Sequence, residues 1–245
     1  MKEITSINNE FIKETAKLSD KKYRDKTGKF LIEGYHLIEM ATEFLEVVFV
    51  CDKKDYGKIK GVEYFLVSDE VIKKLSQTMN PQGIVGICKK KEEKDIISNN
   101  VIVLDNLQDP GNIGTLIRSA LAFGYKDLIL SNDSVDIYND KVIRSSQGAI
   151  FKMNIIYRNL NEEIDNLKNN GYKVYGTSLT NATPLGKISF SKKNAIILGN
   201  EGKGVKSELL DKCECNIFLE MNKEIDSLNV GVAGSIIMYE LSKNI

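Results

Sequence analysis

The stretch VIVLDNLQDPGNIGTLIRSALAFG, residues 101–124, decides how the rest of the chain is read. VIVLD is a short apolar run of strand type, and Asp109-Pro110-Gly111 reads as a turn. Asn112 is a good helix cap, so a helix is expected from about Ile113 to Phe123. At ~100° per residue, Ile113, Leu116, Ile117, Ala120, Leu121 and Phe123 share one arc. Asn112, Thr115, Arg118, Ser119 and Ala122 fall on the opposite one. The helix should bury its first face on a sheet and show a small-residue surface with one long cation, Arg118. A glycine-rich strand-to-helix loop also exposes N–H groups suited to an anion. An ordinary amphipathic helix with a surface arginine has the same periodicity.

Around this stretch the pattern repeats. The runs 127–131, 154–157, 172–177 and 195–199 are strand-like and separated by helical segments, which argues for a parallel sheet covered on both faces. Upstream, KKKEEKD (89–95) is charged and free of apolar residues, the best candidate linker. Before it, FLIEGYHLIEMA (30–41) reads as a strand running into a helix. VVFVC (47–51), YFLVS (64–68) and IVGIC (84–88) read as strands, with a helical signal at 71–78. The chain is thus expected to hold a small α/β domain over 1–92 and a larger one over 97–245. No internal repeat or low-complexity tract is visible.

Two further segments carry polar residues in unusual settings. In AIILGNEGKGV (195–205) an apolar strand ends in three glycines within six residues, Gly199, Gly202 and Gly204. They allow close approach of backbone to backbone or ligand, but match neither the dinucleotide nor the phosphate-loop pattern. In LEMNKEIDSLNVGVAGSIIMYE (219–240), Asn229 is a candidate cap for a helix starting near Val230. That helix is apolar on nearly every face and should be buried in a core or at a subunit interface.

Composition constrains the remainder. The formal net charge is zero, so nothing about the whole chain advertises nucleic acid. Charge is concentrated locally in KLSDKKYRDKTGK (17–29), where Lys21, Lys22, Arg24 and Lys26 flank Tyr23 in what reads as a basic loop. Basic residues with an aromatic suit a phosphate-tracking RNA surface. Cys51, Cys88, Cys213 and Cys215 have no metal-ligand spacing, so reduced thiols and no metal are expected. No apolar run reaches the ~18 residues of a membrane helix. With no signal-peptide pattern at the start, a cytoplasmic protein is expected. His36 is the single histidine and is expected to be structural or at the surface.

Taken in order, NLQDPGNIGTLIRSA, GNEGKG and SLNVGVAGSIIMYE resemble the three signature motifs of the SpoU (TrmH-like) RNA methyltransferases of the SPOUT superfamily. The likeness spans about 100–243. The basic stretch and FLIEGYHLIEMA are similar to the substrate-binding domain that precedes the catalytic one in ribosomal-RNA members. The resemblance implies an α/β catalytic domain with a trefoil knot, S-adenosylmethionine as cofactor, and a homodimer through the knot. It implies methylation of a ribose 2′-hydroxyl, most readily of 23S ribosomal RNA. A transfer-RNA target, a base methyltransferase, and an RNA-binding protein that has lost catalysis are the alternatives. By motif position, Thr177, Gly199, Asn200, Gly202, Leu219 and Leu228 would hold the cofactor. Asn112, Arg118, Glu201, Ser227 and Asn229 would surround the reacting centre. A guanidinium is effectively always protonated, so Arg118 is read as orienting the target phosphate and stabilising a developing alkoxide. Glu201 is read as its orienting partner.

Overall fold

The computed structural model describes residues 1–222, 224–225 and 227–243. Its packing separates two compact units, 1–92 with 136–151, and 93–135 with 152–245.

The first unit is built on a mixed sheet. Its chain order is β1 (Lys2–Ile4), α1 (Glu10–Ala16), α2 (Lys21–Thr27), β2 (Lys29–Glu33), α3 (Tyr35–Met40), β3 (Leu45–Val50), β4 (Glu63–Val67), α4 (Asp69–Leu75) and β5 (Ile84–Lys89). The strands lie in the order β1-β4-β3-β5-β2. β4 pairs in parallel with β1 and β3, while β5 runs antiparallel to both β2 and β3. The alternate residues Val47, Phe49, Val85 and Ile87 point to one face, where they pack with Ile12, Val71, Ile72 and Leu75. The basic stretch is not the expected loop. Asp20 caps α2 by accepting from the Lys22 amide at 2.9 Å, and Gly28 ends it with φ +66°.

The second unit is a doubly covered parallel sheet. It contains β6 (Asn100–Leu104), α5 (Pro110–Ala122), β7 (Asp127–Ser131), β8 (Asn154–Arg158), α7 (Leu160–Asn169), β9 (Lys173–Thr177), β10 (Ala182–Pro184), β11 (Asn194–Leu198), α8 (Ser207–Leu210), β12 (Cys215–Phe218) and α9 (Val230–Ser242), while α6 (Asp140–Ser145), between β7 and β8 in sequence, belongs to the first unit. Among the described residues the strand order is β10-β12-β9-β11-β6-β7-β8, with every pairing parallel. β6, β7 and β11 are buried along their whole length, their apolar centres flanked by the buried polar residues Asn100, Asp127, Ser131 and Asn194. One face packs Val101, Val103, Ile129 and Ile197 against Ile164, Leu167 and Leu209. On the other, α5 and α9 cover Leu198.

One segment departs from the expected division. Asp136–Phe151, with α6, lies in sequence between β7 and β8 but packs with the first unit. Tyr138 sits 4.6 Å from the Phe30 ring, and Phe151 stacks on Phe30 and Phe44. A cut at 92–97 assigned those rings to the catalytic domain. The linker itself is held down. Lys94 exchanges both backbone bonds with the Asn154 amide, and the amides of Ile97 and Ser98 donate to the buried Asp127 carboxylate.

Candidate active site

Asn112 does not cap α5. Asp109 does, accepting the Asn112 backbone N–H at 2.8 Å, with Pro110 following at the first helical position. The correction matters chemically, because it leaves the Asn112 side chain free to bond elsewhere. Its amide donates to Glu201 Oε1 at 3.0 Å, and its Oδ1 accepts from Asn229 Nδ2 at 2.9 Å. Asn229 in turn caps α9, accepting from the amides of Gly231 and Val232 at 2.9 and 3.3 Å. All three motifs therefore meet in one hydrogen-bonded row, Glu201–Asn112–Asn229.

The loop carrying Glu201 is tightly made. Asn200 and Gly204 exchange backbone bonds of 3.1 and 2.8 Å. The Asn200 side-chain Oδ1 accepts from the backbone amides of Gly202 and Lys203, and its Nδ2 donates to Asn106 O at 2.8 Å. A Cβ on Gly199 would lie 2.1 Å from Gly204 C and Val205 N. Gly199 thus answers to the loop's own backbone, a constraint that motif position alone did not show. The loop closes at Lys206, whose amide donates to Asp105 Oδ2 at 2.9 Å. Burial works to lower the Lys206 ammonium pKa, but Asp133 and Asp105 outweigh it and the net shift is upward.

The cofactor candidates collect at the carboxyl ends of three neighbouring parallel strands, the usual ligand edge of such a sheet. Thr177 ends β9, Gly199 follows β11, and Leu219 follows β12. Thr177 Oγ1 donates to Ile197 O at 2.9 Å, tying β9 to β11. Thr177, Asn200 and Gly202 make their hydrogen bonds within the protein, so they shape this edge. Half-buried Leu219 follows β12 there, and Leu179 is exposed on the loop after Thr177; Leu228, half-buried, precedes α9. Apolar side chains beside strand-end backbone fit an adenine and its sugar. Leu179 was not singled out from sequence, where a lone loop leucine carries no signal.

α5 and α9 lie side by side in matched register. Ser119 and Ser235 share a 2.7 Å hydroxyl contact, and Phe123 meets Tyr239 at 5.6 Å. A Cβ on Gly231 would touch Thr115, and one on Gly234 would strike Leu116 and Leu198. The glycines are thus what lets the helices approach. Arg118 stands on the solvent side of α5, exposed and without a hydrogen bond or ion pair among the described residues. Glu201 bonds Asn112 in place of the expected Arg118. Ser227 is exposed just before the cap, while Asp226 falls outside the described residues.

The basic candidates separate into two kinds. Lys21, Lys22 and Lys26 are exposed. Arg24 is buried: it bonds Asp136 Oδ2 through Nε at 3.0 Å and Nη2 at 2.8 Å, and the carbonyls of Leu18 and Ser19 through Nη1. Its side chain is 5% exposed and four of its five N–H groups are engaged within the protein, so the expectation that it holds a phosphate is corrected. His36 lies at the surface near Gln147 O. The four cysteines are free, and no cluster among the described residues could hold a metal.

The sequence model of the SpoU rRNA methylase family matches residues 99–239, and that of the MRM3-like substrate-binding domain matches 9–86. This chain belongs to the SpoU rRNA methylase family. It is 39% identical, over 98% of its length and 99% of the relative's, to the 23S rRNA (guanosine(2553)-2′-O)-methyltransferase RlmP of Bacillus subtilis. The AdoMet-bound rRNA methyltransferase from Sinorhizobium meliloti superposes with a TM-score of 0.89 at 27% identity, covering 100% of this chain and 98% of that one. A solved RNA 2′-O ribose methyltransferase gives 0.84 at 29%, covering 99% and 100%. The chain is therefore an S-adenosylmethionine-dependent RNA methyltransferase, with a parallel catalytic sheet and a smaller amino-terminal substrate-binding domain.

Proposed function

We propose that this SpoU-family enzyme methylates a ribose 2′-hydroxyl of 23S ribosomal RNA. The observation that carries the proposal is the full-length likeness to RlmP, joined to the Glu201–Asn112–Asn229 row. Residues 1–92 hold the RNA, with Lys21, Lys22 and Lys26 as phosphate contacts, and 97–245 perform the transfer. S-adenosylmethionine, when bound, supplies an electrophilic methyl group on a sulfonium.

In this reading the ribose oxygen would take the methyl from the bound cofactor, the carbon–sulfur bond breaking as the oxygen–carbon bond forms and S-adenosylhomocysteine leaving, while the hydroxyl proton would pass to solvent. Negative charge passes through that oxygen, so fixed donors around it lower the barrier. Asn112, held from both sides, is a rigid donor–acceptor beside the reacting centre. Asn229 couples it to the start of α9, and Ser227 adds a hydroxyl. Arg118, exposed and unpaired among the described residues, reaches the target phosphate and stabilises the developing alkoxide. Thr177, Gly199, Asn200 and Gly202 set the strand-end shape against which Leu219 and Leu228 hold the adenine. The enzyme works as a homodimer through α9, in the cytoplasm where ribosomal RNA is made. No described helix is long and apolar enough to cross a membrane.

The test is methylation of 23S RNA from a strain lacking the gene, followed by nuclease digestion and mass spectrometry. A single 2′-O-methylated nucleotide is expected. A methyl group on a base, or on transfer RNA alone, would overturn the assignment.

A further inference from the structure

Glu201 sits at the tip of a loop whose two ends are both anchored on consecutive residues of one strand end. At the near end, Asn200 Nδ2 donates to Asn106 O at 2.8 Å. At the far end, the Lys206 amide donates to Asp105 Oδ2 at 2.9 Å. Between these anchors the loop has little freedom, because the Asn200–Gly204 bridge and the Asn200 side chain close it on itself. Whatever fixes the anchors therefore fixes Glu201.

The anchors are themselves built in. Asn106 adopts a left-handed φ of +53°, uncommon for a side chain-bearing residue. It is held there by the Ser131 hydroxyl on its amide and by Gln108 Nε2 on its Oδ1. Asp105 is 1% exposed, and its own amide donates to Leu198 O at 2.8 Å. A carboxylate this deep is costly unless its oxygens are satisfied. The Lys206 amide satisfies Oδ2. The Lys206 ammonium stands 3.4 Å from Oδ1, an ion-pair distance, and also 3.2 Å from Asp133 Oδ2. Asp105 directly follows Leu104, the buried last residue of β6. A charge in that position needs the loop closed over it, so the loop and the carboxylate hold each other in one geometry.

We infer that Asp105 is a positioning residue for methyl transfer: by gripping the Lys206 amide it holds Glu201 where it can orient the Asn112 side chain. The inference rests on the reading that Glu201 and Asn112 serve the reacting centre. Asp105 itself touches no substrate; it acts through the loop.

The experiment is a double-mutant cycle in single-turnover methyl transfer, with melting temperature and S-adenosylmethionine affinity measured on every variant. Asp105→Asn removes the charge, and Lys206→Pro removes the N–H that Asp105 accepts. The backbone at Lys206, φ −57°, already suits proline. Each single variant is expected to lose roughly 10-fold in transfer rate. Cofactor affinity should change less than about 2-fold. Glu201→Gln is expected to lose about 100-fold, as for one preorganised polar group. If Asp105 acts through Glu201, adding Asp105→Asn to Glu201→Gln costs little more, whereas independent roles would multiply to about 1,000-fold. Multiplicative losses, or a wild-type rate in either folded single variant, overturn the inference. Failure of both variants to fold also overturns it, making Asp105 a folding residue. A wild-type rate for Glu201→Gln would instead sink the underlying reading of the site, a distinct result.

Discussion

Two arginines show how little residue type says about role. Arg24 lies in the strongest run of positive charge, yet its guanidinium is enclosed by Asp136 and two carbonyls. Removing one partner of such a pair leaves the other charge buried, which costs about 3–5 kcal/mol. Arg24→Ala should lower the melting temperature sharply, whereas Lys21→Ala, Lys22→Ala and Lys26→Ala together should leave it unchanged. The triple variant should instead weaken RNA binding and flatten its salt dependence. An unaltered salt slope would move the RNA contact elsewhere. Arg118 is the converse case, long, exposed and unpaired among the described residues. Arg118→Ala is expected to lose ~10²-fold in kcat with folding and cofactor affinity intact, the scale for one lost preorganised donor. Arg118→Lys should recover little, since an ammonium lacks the planar fork. A wild-type rate for Arg118→Ala would make it a surface residue. The thiols respond to pH in one direction. Burial, with Asp69 and Glu70 nearby, raises Cys51 from 9.0 to about 12, and burial raises Cys213 likewise. Both stay protonated at pH 8, so the native protein should resist iodoacetamide. Unfolded thiols ionise from about pH 8.5 while the folded ones do not, so stability should fall as pH rises from there toward 12. Rapid native alkylation of Cys51 or Cys213, read by mass spectrometry, would refute this.

At the scale of elements, the most telling contact is the one at Gly199. Any side chain there meets backbone at 2.1 Å. Backbone cannot swing aside as a side-chain end can, so Gly199→Val should break the loop that carries Glu201. Lost stability as well as lost cofactor binding is expected in calorimetry; a normal melting temperature would show that the loop can open at no cost. This also marks what sequence could and could not disclose. The strands β3 to β9 and β11 were legible, because each is a bounded apolar run, and the α9 cap was legible because Asn229 precedes an unbroken apolar helix. The cap of α5 is not legible in the sequence, since Asp109 and Asn112 are equally good capping residues and only the folded geometry decides which one accepts. The short β1 and β10 carry too few residues for a period. The placement of Asp136–Phe151 was hidden for a different reason: its rings contact Phe30 and Phe44, over a hundred residues away in sequence, and no local pattern encodes so distant a partner. The candidate site divides the same way. Motif order assembled Asn112, Glu201 and Asn229, but gave Glu201 the wrong partner and passed over Asp105, which looks like any polar residue after a strand.

For the whole molecule, α9 poses the remaining question. Its buried side, Ile237, Met238 and Leu241, is accounted for by the sheet and α5. Its outer side is not: Val232, Ile236 and Tyr239 are 47%, 39% and 49% exposed. They follow one another at intervals of four and three, so they form a single stripe along the helix, with Phe123 leaning against Tyr239 at one end. Scattered apolar residues at a surface need no explanation, but an aligned set on one helix marks a contact. A second copy of the same stripe is the natural occupant, because a two-fold contact requires a self-complementary patch. Sedimentation equilibrium should therefore give about twice the 27.5 kDa chain mass. Ile236→Asp with Tyr239→Asp places two like charges where the stripes would meet, and should yield a monomer of unchanged secondary structure. If catalysis requires the pair, that monomer should also lose methyl transfer while residues 1–92 still bind RNA. A strict monomer of the wild-type chain at micromolar concentration would refute the dimer, and a doubly substituted variant that still sediments as a dimer would place the contact on another surface.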